Sequence, residues 1–127
     1  MPKHIENWLL GKALYIALFI SITIALLSLI NTNQLPKPSV GVSDKVLHVS
    51  AYIVLFWSWL LVFRKDSSLK TRLILFMVLF FFGIVLEWMQ GELTSYRTAD
   101  WKDIIANSMG LFLGFFTFNK IYQIVFK

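Results

Sequence analysis

Four long apolar runs constrain this chain more than any other feature. Residues 13–30, 73–86 and 104–119 contain no charged side chain, and residues 46–63 hold only His48 among acidic and basic types. A helix needs about 20 predominantly apolar residues to cross a bilayer, a length each run approaches once its flanks reach the interface. The last run is interrupted by Lys120, which can snorkel to the headgroups beside Tyr122. The pattern predicts an all-α protein, a four-transmembrane-helix bundle with short loops. Its helices are expected at about residues 11–31, 44–64, 71–90 and 101–125 of a single membrane domain, 1–127.

Composition points the same way. The chain is 57% hydrophobic and 15% charged, with mean hydropathy +0.69, whereas a soluble domain is about half apolar and about a quarter charged. Net charge is +5, from 12 Lys and Arg against 7 Asp and Glu. The basic residues flank apolar runs, and no basic stripe is interleaved with aromatics. Topology and membrane lipids therefore explain them, and no nucleic-acid partner is expected. Cysteine is absent, which excludes disulfides, thiolate metal sites and Cys nucleophiles. No P-loop, nucleophile elbow, zincin motif or dinucleotide fingerprint occurs, and no cofactor is expected.

The first run follows Lys3 and Lys12, as in a signal peptide, but it is longer than a typical signal core. No small-x-small cleavage site follows it before Asn31, so it reads as a retained helix. Residues 31–44 hold Pro36, Pro38 and Gly41 and read as an extended, turn-rich loop. Residues 64–72 form a tight basic hairpin, and residues 91–99 join the third and fourth helices. With four spans, Lys3, Lys12, Arg64, Lys65, Lys70, Arg72, Lys120 and Lys127 share one side. Lys37, Lys45, Arg97 and Lys102 occupy the other. Eight against four places both termini in the cytoplasm.

A polar series is set into three of these helices: Asp44, Lys45, His48 and Tyr52, then Glu87 and Gln90, then Arg97, Asp100, Asp103 and Asn107. Ionisable groups at membrane depth cost several kcal/mol unless they pair or line a wet cavity. At 1.5 Å per residue, Glu87 lies ~22 Å beyond Arg72, several Å inside the outer edge of a hydrocarbon core ~30 Å thick. His48 lies ~5 Å inward from Lys45, and Asn107 ~6 Å inward from Asp103. Asp44, His48 and Tyr52 recur at i, i+4 and i+8, and Glu87 and Gln90 at i, i+3, so each set shares a helix face. These faces are expected to meet in one shallow extracytoplasmic layer. Asp100 and Asp103 suit the N-terminus of the fourth helix. Ala106, Gly110 and Gly114 form a small-residue stripe of the G-x-x-x-G kind, which lets helices approach closely.

The ordered set of Asp44-Lys45 with His48 and Tyr52, Glu87 and Gln90, then Arg97, Asp100, Asp103, Asn107 and Gly110 resembles the VanZ-like family of small bacterial membrane proteins. The resemblance covers residues 43–114. That family takes its name from a protein associated with low-level resistance to the lipoglycopeptide teicoplanin. The resemblance therefore implies a role at the cell envelope, with a lipid-linked or glycopeptide-type ligand at the outer leaflet. It implies no settled reaction.

The residues themselves leave several roles open. His48 is the only histidine of the layer, suited to a structural hydrogen bond or to proton transfer with Asp44, Glu87 or Asp103. One imidazole and several carboxylates could bind a divalent metal, but no second histidine lies near, His4 being on the cytoplasmic side, and no metal site is expected. Glu87 and Arg97 suit a buried ion pair, while Arg97 alone would suit a ligand phosphate or carboxylate. Tyr52, Tyr96, Trp88 and Trp101 read most simply as interfacial anchors. Two other functions stay in view. One is a small membrane enzyme acting on a lipid phosphate or glycolipid, with His48 as base or nucleophile and Lys45 and Arg97 holding the anion. The other is a packing subunit of a membrane complex.

Overall fold

The computed structural model describes residues 1–30 and 43–127. Five helices account for most of them, and no strand occurs among the described residues. They are α1 (Lys3–Gly11), α2 (Ala13–Leu29), α3 (Asp44–Val62), α4 (Leu69–Leu93) and α5 (Trp101–Phe126). The turn-rich loop expected at residues 31–44 lies, as far as residue 42, outside the described residues.

The first helix differs from expectation. Instead of one segment over about 11–31, the chain folds as α1 and α2, bent by 58° at Lys12. Lys12 leaves the helical region at φ −103° and ψ 6°, yet its N–H still reaches the Trp8 and Leu9 carbonyls at 3.0 and 3.2 Å. The bend therefore breaks few hydrogen bonds. Its sequence cause is a change of character: α1 alternates Lys3, His4, Glu6 and Asn7 with Ile5, Trp8 and Leu9, whereas α2 is apolar all round. Nothing in α1 is buried.

Local signals fix the other boundaries. Ser68 accepts the Thr71 N–H at 3.2 Å and caps α4. That helix runs to Leu93, past the expected residue 90, because Thr94 Oγ1 donates to the Gln90 carbonyl at 2.5 Å and closes the last turn. Arg64 folds back onto the Leu61 carbonyl at 3.0 Å where α3 ends.

Helices α3, α4 and α5 are long and apolar enough to cross a membrane, and α1 with α2 becomes a fourth such element if the bent pair is one span. Their outer faces are apolar too: Phe19, Phe112, Phe116 and Ile124 are each more than half exposed. A water-soluble surface rarely carries contiguous apolar area on this scale. The interior is built from Tyr52, Leu55, Phe56, Leu60, Leu75, Leu79, Leu111 and Phe118. Hydroxyls within the apolar segments bond locally, Ser21 to the Ala17 carbonyl at 2.8 Å and Ser108 to the Ile104 carbonyl at 2.7 Å. Trp57 reaches across from α3 to the Gly114 carbonyl, and Trp59 to Ser21 Oγ, both at 3.1 Å.

Side-chain contacts set the directions of the helices. Lys45 meets Asp103, and Gln90 meets Ser28, so the starts of α3 and α5 and the ends of α2 and α4 share one end. Helices α3 and α5 consequently run parallel, and theirs is the broadest helix–helix interface. The stripe of Ala106, Gly110 and Gly114 is buried there. A Cβ on Gly110 would lie 2.4 Å from the Val49 carbonyl oxygen, and one on Gly114 would lie 3.0 Å from Phe56 Cδ1. Only hydrogen fits at Gly110, which is how the two backbones come so close.

Candidate functional site

The polar side chains of α3, α4 and α5 gather at this shared end. Lys45 is the hub. Its ammonium donates to Asp100 Oδ2 at 2.9 Å and to Asp103 Oδ1, tying the first turn of α3 to the start of α5. Asp100 is the N-cap of α5, its Oδ1 accepting the Lys102 N–H at 2.9 Å, and Asp103 sits in the first helical turn. Both carboxylates also meet the positive end of the α5 dipole. The Asp100 carboxyl is held below the usual carboxylate range, first by the Lys45 hydrogen bond and then by the Lys102 backbone N–H.

Glu87 is buried on α4, and its Oε1 accepts the backbone N–H of Asp100 at 2.7 Å. It thereby holds the connection that leads into α5. The ion pair with Arg97 that the sequence suggested does not form: no Glu87–Arg97 distance falls within 4.0 Å. A backbone amide takes the carboxylate instead, because the chain turns back over α4 just before the α5 cap.

Gln90 and Arg97 work at a different element. Gln90 Nε2 donates to the Ser28 carbonyl at 2.8 Å, and Arg97 Nη1 donates to the same oxygen at 3.4 Å. The Tyr96 hydroxyl donates to the Leu29 carbonyl. The last carbonyls of a helix have no partner within it, and here α4 and its following loop supply those partners to α2. Sequence reading singled out the donors but missed Ser28 and Leu29, because any helix end offers the same acceptors whatever its side chains.

His48 lies between two helices. Its Nδ1 pairs with Asn107 Oδ1 at 2.9 Å, while Nε2 faces Asp44 Oδ2 at 3.7 Å and Asp103 Oδ2 at 3.8 Å. Asp44, one turn back on α3, is the exposed member of this group. Tyr52 is only 2% exposed and belongs to the core against Gly83 and Gly110, which corrects its reading as an interfacial anchor. Trp88 and Trp101 point outward, at 61% and 66% exposure, as anchors do.

A shallow apolar groove of about 340 Å³ adjoins the cluster between α3 and α5. Val46, Val49, Ile105, Ala106 and Met109 line it, with Lys45 and Lys102 at its polar end. Sequence periodicity gave no sign of this groove, since it exists only once α3 and α5 lie side by side. Comparison of the chain with protein-family models, with curated proteins and with solved structures returns no match.

Proposed function

We propose that this chain is a four-span protein of the bacterial inner membrane, VanZ-like in character, that binds an anionic lipid-linked ligand of the cell envelope. Both termini lie in the cytoplasm in this reading, and the polar end faces the outer leaflet, in keeping with the excess of Lys and Arg at the opposite end. The bent α1–α2 pair serves as the first span, with α1 resting in the headgroup layer on Ile5, Trp8 and Leu9.

One observation carries the ligand class: the apolar groove and the charged cluster are continuous, and Lys45 belongs to both. A lipid tail against Val49, Ile105 and Met109 would place its phosphate near Lys102 and Lys45. Lipid chains are favoured by burial of apolar area, and phosphate by ammonium groups at headgroup depth. The envelope role and the glycopeptide alternative rest on the family resemblance alone.

The enzyme reading finds less support. Arg97, expected to help hold the anion beside His48, donates instead to the Ser28 carbonyl of α2.

Filling the groove tests the ligand reading. Ile105→Trp and Met109→Trp alter exposed positions and leave the cluster intact. Mass spectrometry of protein purified with native lipid should show an anionic species retained by wild type and lost from both variants. An unchanged lipid complement would refute this reading. Topology is tested separately by single cysteines at Lys65 and Ser95, on a background free of cysteine. Labelling of both from the same side would refute the four-span arrangement.

A further inference from the structure

We infer that Asp44, His48 and Asp103 form a binding site for one divalent transition-metal ion, at the polar end between α3 and α5. The sequence argued against a metal because only one imidazole was at hand. The fold changes that argument by setting the imidazole between two carboxylates from different helices. One ligand atom from each of the three residues lies within 4.8 Å of the others.

Distances favour an ion over direct hydrogen bonds. Nε2 is 3.7 Å from Asp44 Oδ2 and 3.8 Å from Asp103 Oδ2, beyond the roughly 2.7–3.2 Å of an N–H···O bond. Two donors that share an ion at bonds of about 2.1 Å stand about 3.0–3.4 Å apart. Bringing the three donors onto one centre closes each Nε2 gap by less than about 1 Å and the Asp44–Asp103 gap, at most 4.8 Å, by no more than about 1.8 Å. Asp44 is at the exposed rim, so rotation of its side chain supplies its share of that movement, and small shifts of His48 and Asp103 supply the rest.

The surroundings orient the donors. Asn107 Oδ1 accepts from Nδ1–H, which leaves Nε2 as the ring nitrogen directed at the carboxylates. Metal-bound histidines commonly have their second nitrogen held in this way. The Asp103 side chain is 6% exposed, and its two oxygens are divided. Oδ1 takes the Lys45 ammonium, while Oδ2 takes no hydrogen bond from a described residue and faces Nε2. Two carboxylates and a neutral imidazole balance a doubly charged ion. The mixed nitrogen and oxygen donors suit Zn²⁺, Mn²⁺ or Co²⁺ better than Ca²⁺, which requires more oxygens. Three protein ligands leave a further coordination position on the exposed side, as in open zinc sites. This inference is independent of the lipid groove.

The full chain in nanodiscs of zwitterionic lipid, with His4→Ala removing the other imidazole, is the material for the test. Co²⁺ and Mn²⁺ are the probes, read by visible absorption and by electron paramagnetic resonance, with empty nanodiscs as the blank. One ion per chain should bind, displaced by Zn²⁺. His48→Gln and Asp103→Asn should abolish the signal, and Asp44→Asn should weaken affinity about tenfold or more. Asp44 is exposed, so its variant keeps the fold and decides the matter if the buried ones do not assemble. Absence of saturable binding, leaving His48 as a plain ion-pair partner, would overturn the site. So would binding that Asp44→Asn and His48→Gln leave unchanged.

Discussion

Glu87 on α4 accepts the backbone N–H of Asp100, thirteen residues further along the chain, at 2.7 Å. A buried carboxylate thus fastens the segment whose next role is to cap α5 and receive Lys45. Helices α3, α4 and α5 are joined through this single stretch, so its loss should be felt at all three.

The first expectation concerns that contact. Glu87→Ala leaves a buried amide without its acceptor and should lower stability by about 1–3 kcal/mol. Glu87→Gln keeps an oxygen at the same place and should lose much less. Thermal unfolding in detergent, followed by near-ultraviolet circular dichroism, gives the comparison. Equal losses in the two variants would show that the carboxylate charge, not the acceptor, is what matters.

Gln90 gives the second. Its amide and the Arg97 guanidinium share the Ser28 carbonyl, the shorter bond being that of Gln90. Gln90→Leu should therefore destabilise by about 1 kcal/mol, in line with interhelical hydrogen bonds in bilayers. Arg97→Met should cost less, and the double variant more than the sum of the two, since only it leaves the shared carbonyl without a donor. A ligand-binding role for either residue would instead appear as lost lipid retention at unchanged stability.

Much of the fold could be read in the chain. Apolar runs with few or no titratable side chains marked α2 to α5. The i, i+4 spacing of Asp44 and His48 put both on one face, as did that of Asp103 and Asn107, and those faces do meet. Three things were hidden for physical reasons. The bend at Lys12 breaks few hydrogen bonds and has no proline to announce it. Tyr52 looked amphipathic, but whether a tyrosine lies in the core or at the interface depends on what faces it, here Gly83 and Gly110. The partners of Glu87, Gln90 and Arg97 are backbone groups, which side-chain patterns do not reveal.

Acid should probe the cluster through Asp100. Its folded carboxyl titrates below its unfolded range, near pH 3.9 for a free Asp, because Lys45 and the Lys102 N–H favour the charged form. The contribution to stability is thus complete above the unfolded value and disappears as pH falls through the folded one. Asn can still cap α5 but cannot hold the ammonium in the same way. Wild type should then exceed Asp100→Asn in melting temperature at pH 7, with the gap closing below about pH 4. High salt should also narrow it, because the pair is partly exposed. A gap independent of both pH and salt would assign Asp100 a purely conformational role.

Gly110 supplies the sharpest expectation. A Cβ there would come within 2.4 Å of the Val49 carbonyl oxygen and 2.8 Å of Tyr52 Cβ, both on α3. Backbone cannot yield as a side-chain tip can, so Gly110→Ala must push α5 away from α3 and should cost about 1–3 kcal/mol. Gly114→Ala meets Phe56 at 3.0 and 3.2 Å and should cost less, since a ring can shift. Gly11→Ala has nothing within 4 Å and should be neutral. Because His48 and Asn107 face each other across the same interface, Gly110→Ala should also loosen their contact. Melting temperatures of the three variants, together with histidine NMR shifts for His48, check the order. If Gly110→Ala is as stable as Gly11→Ala, the close parallel packing of α3 and α5 is wrong, and with it the geometry that brings Asp103 to His48.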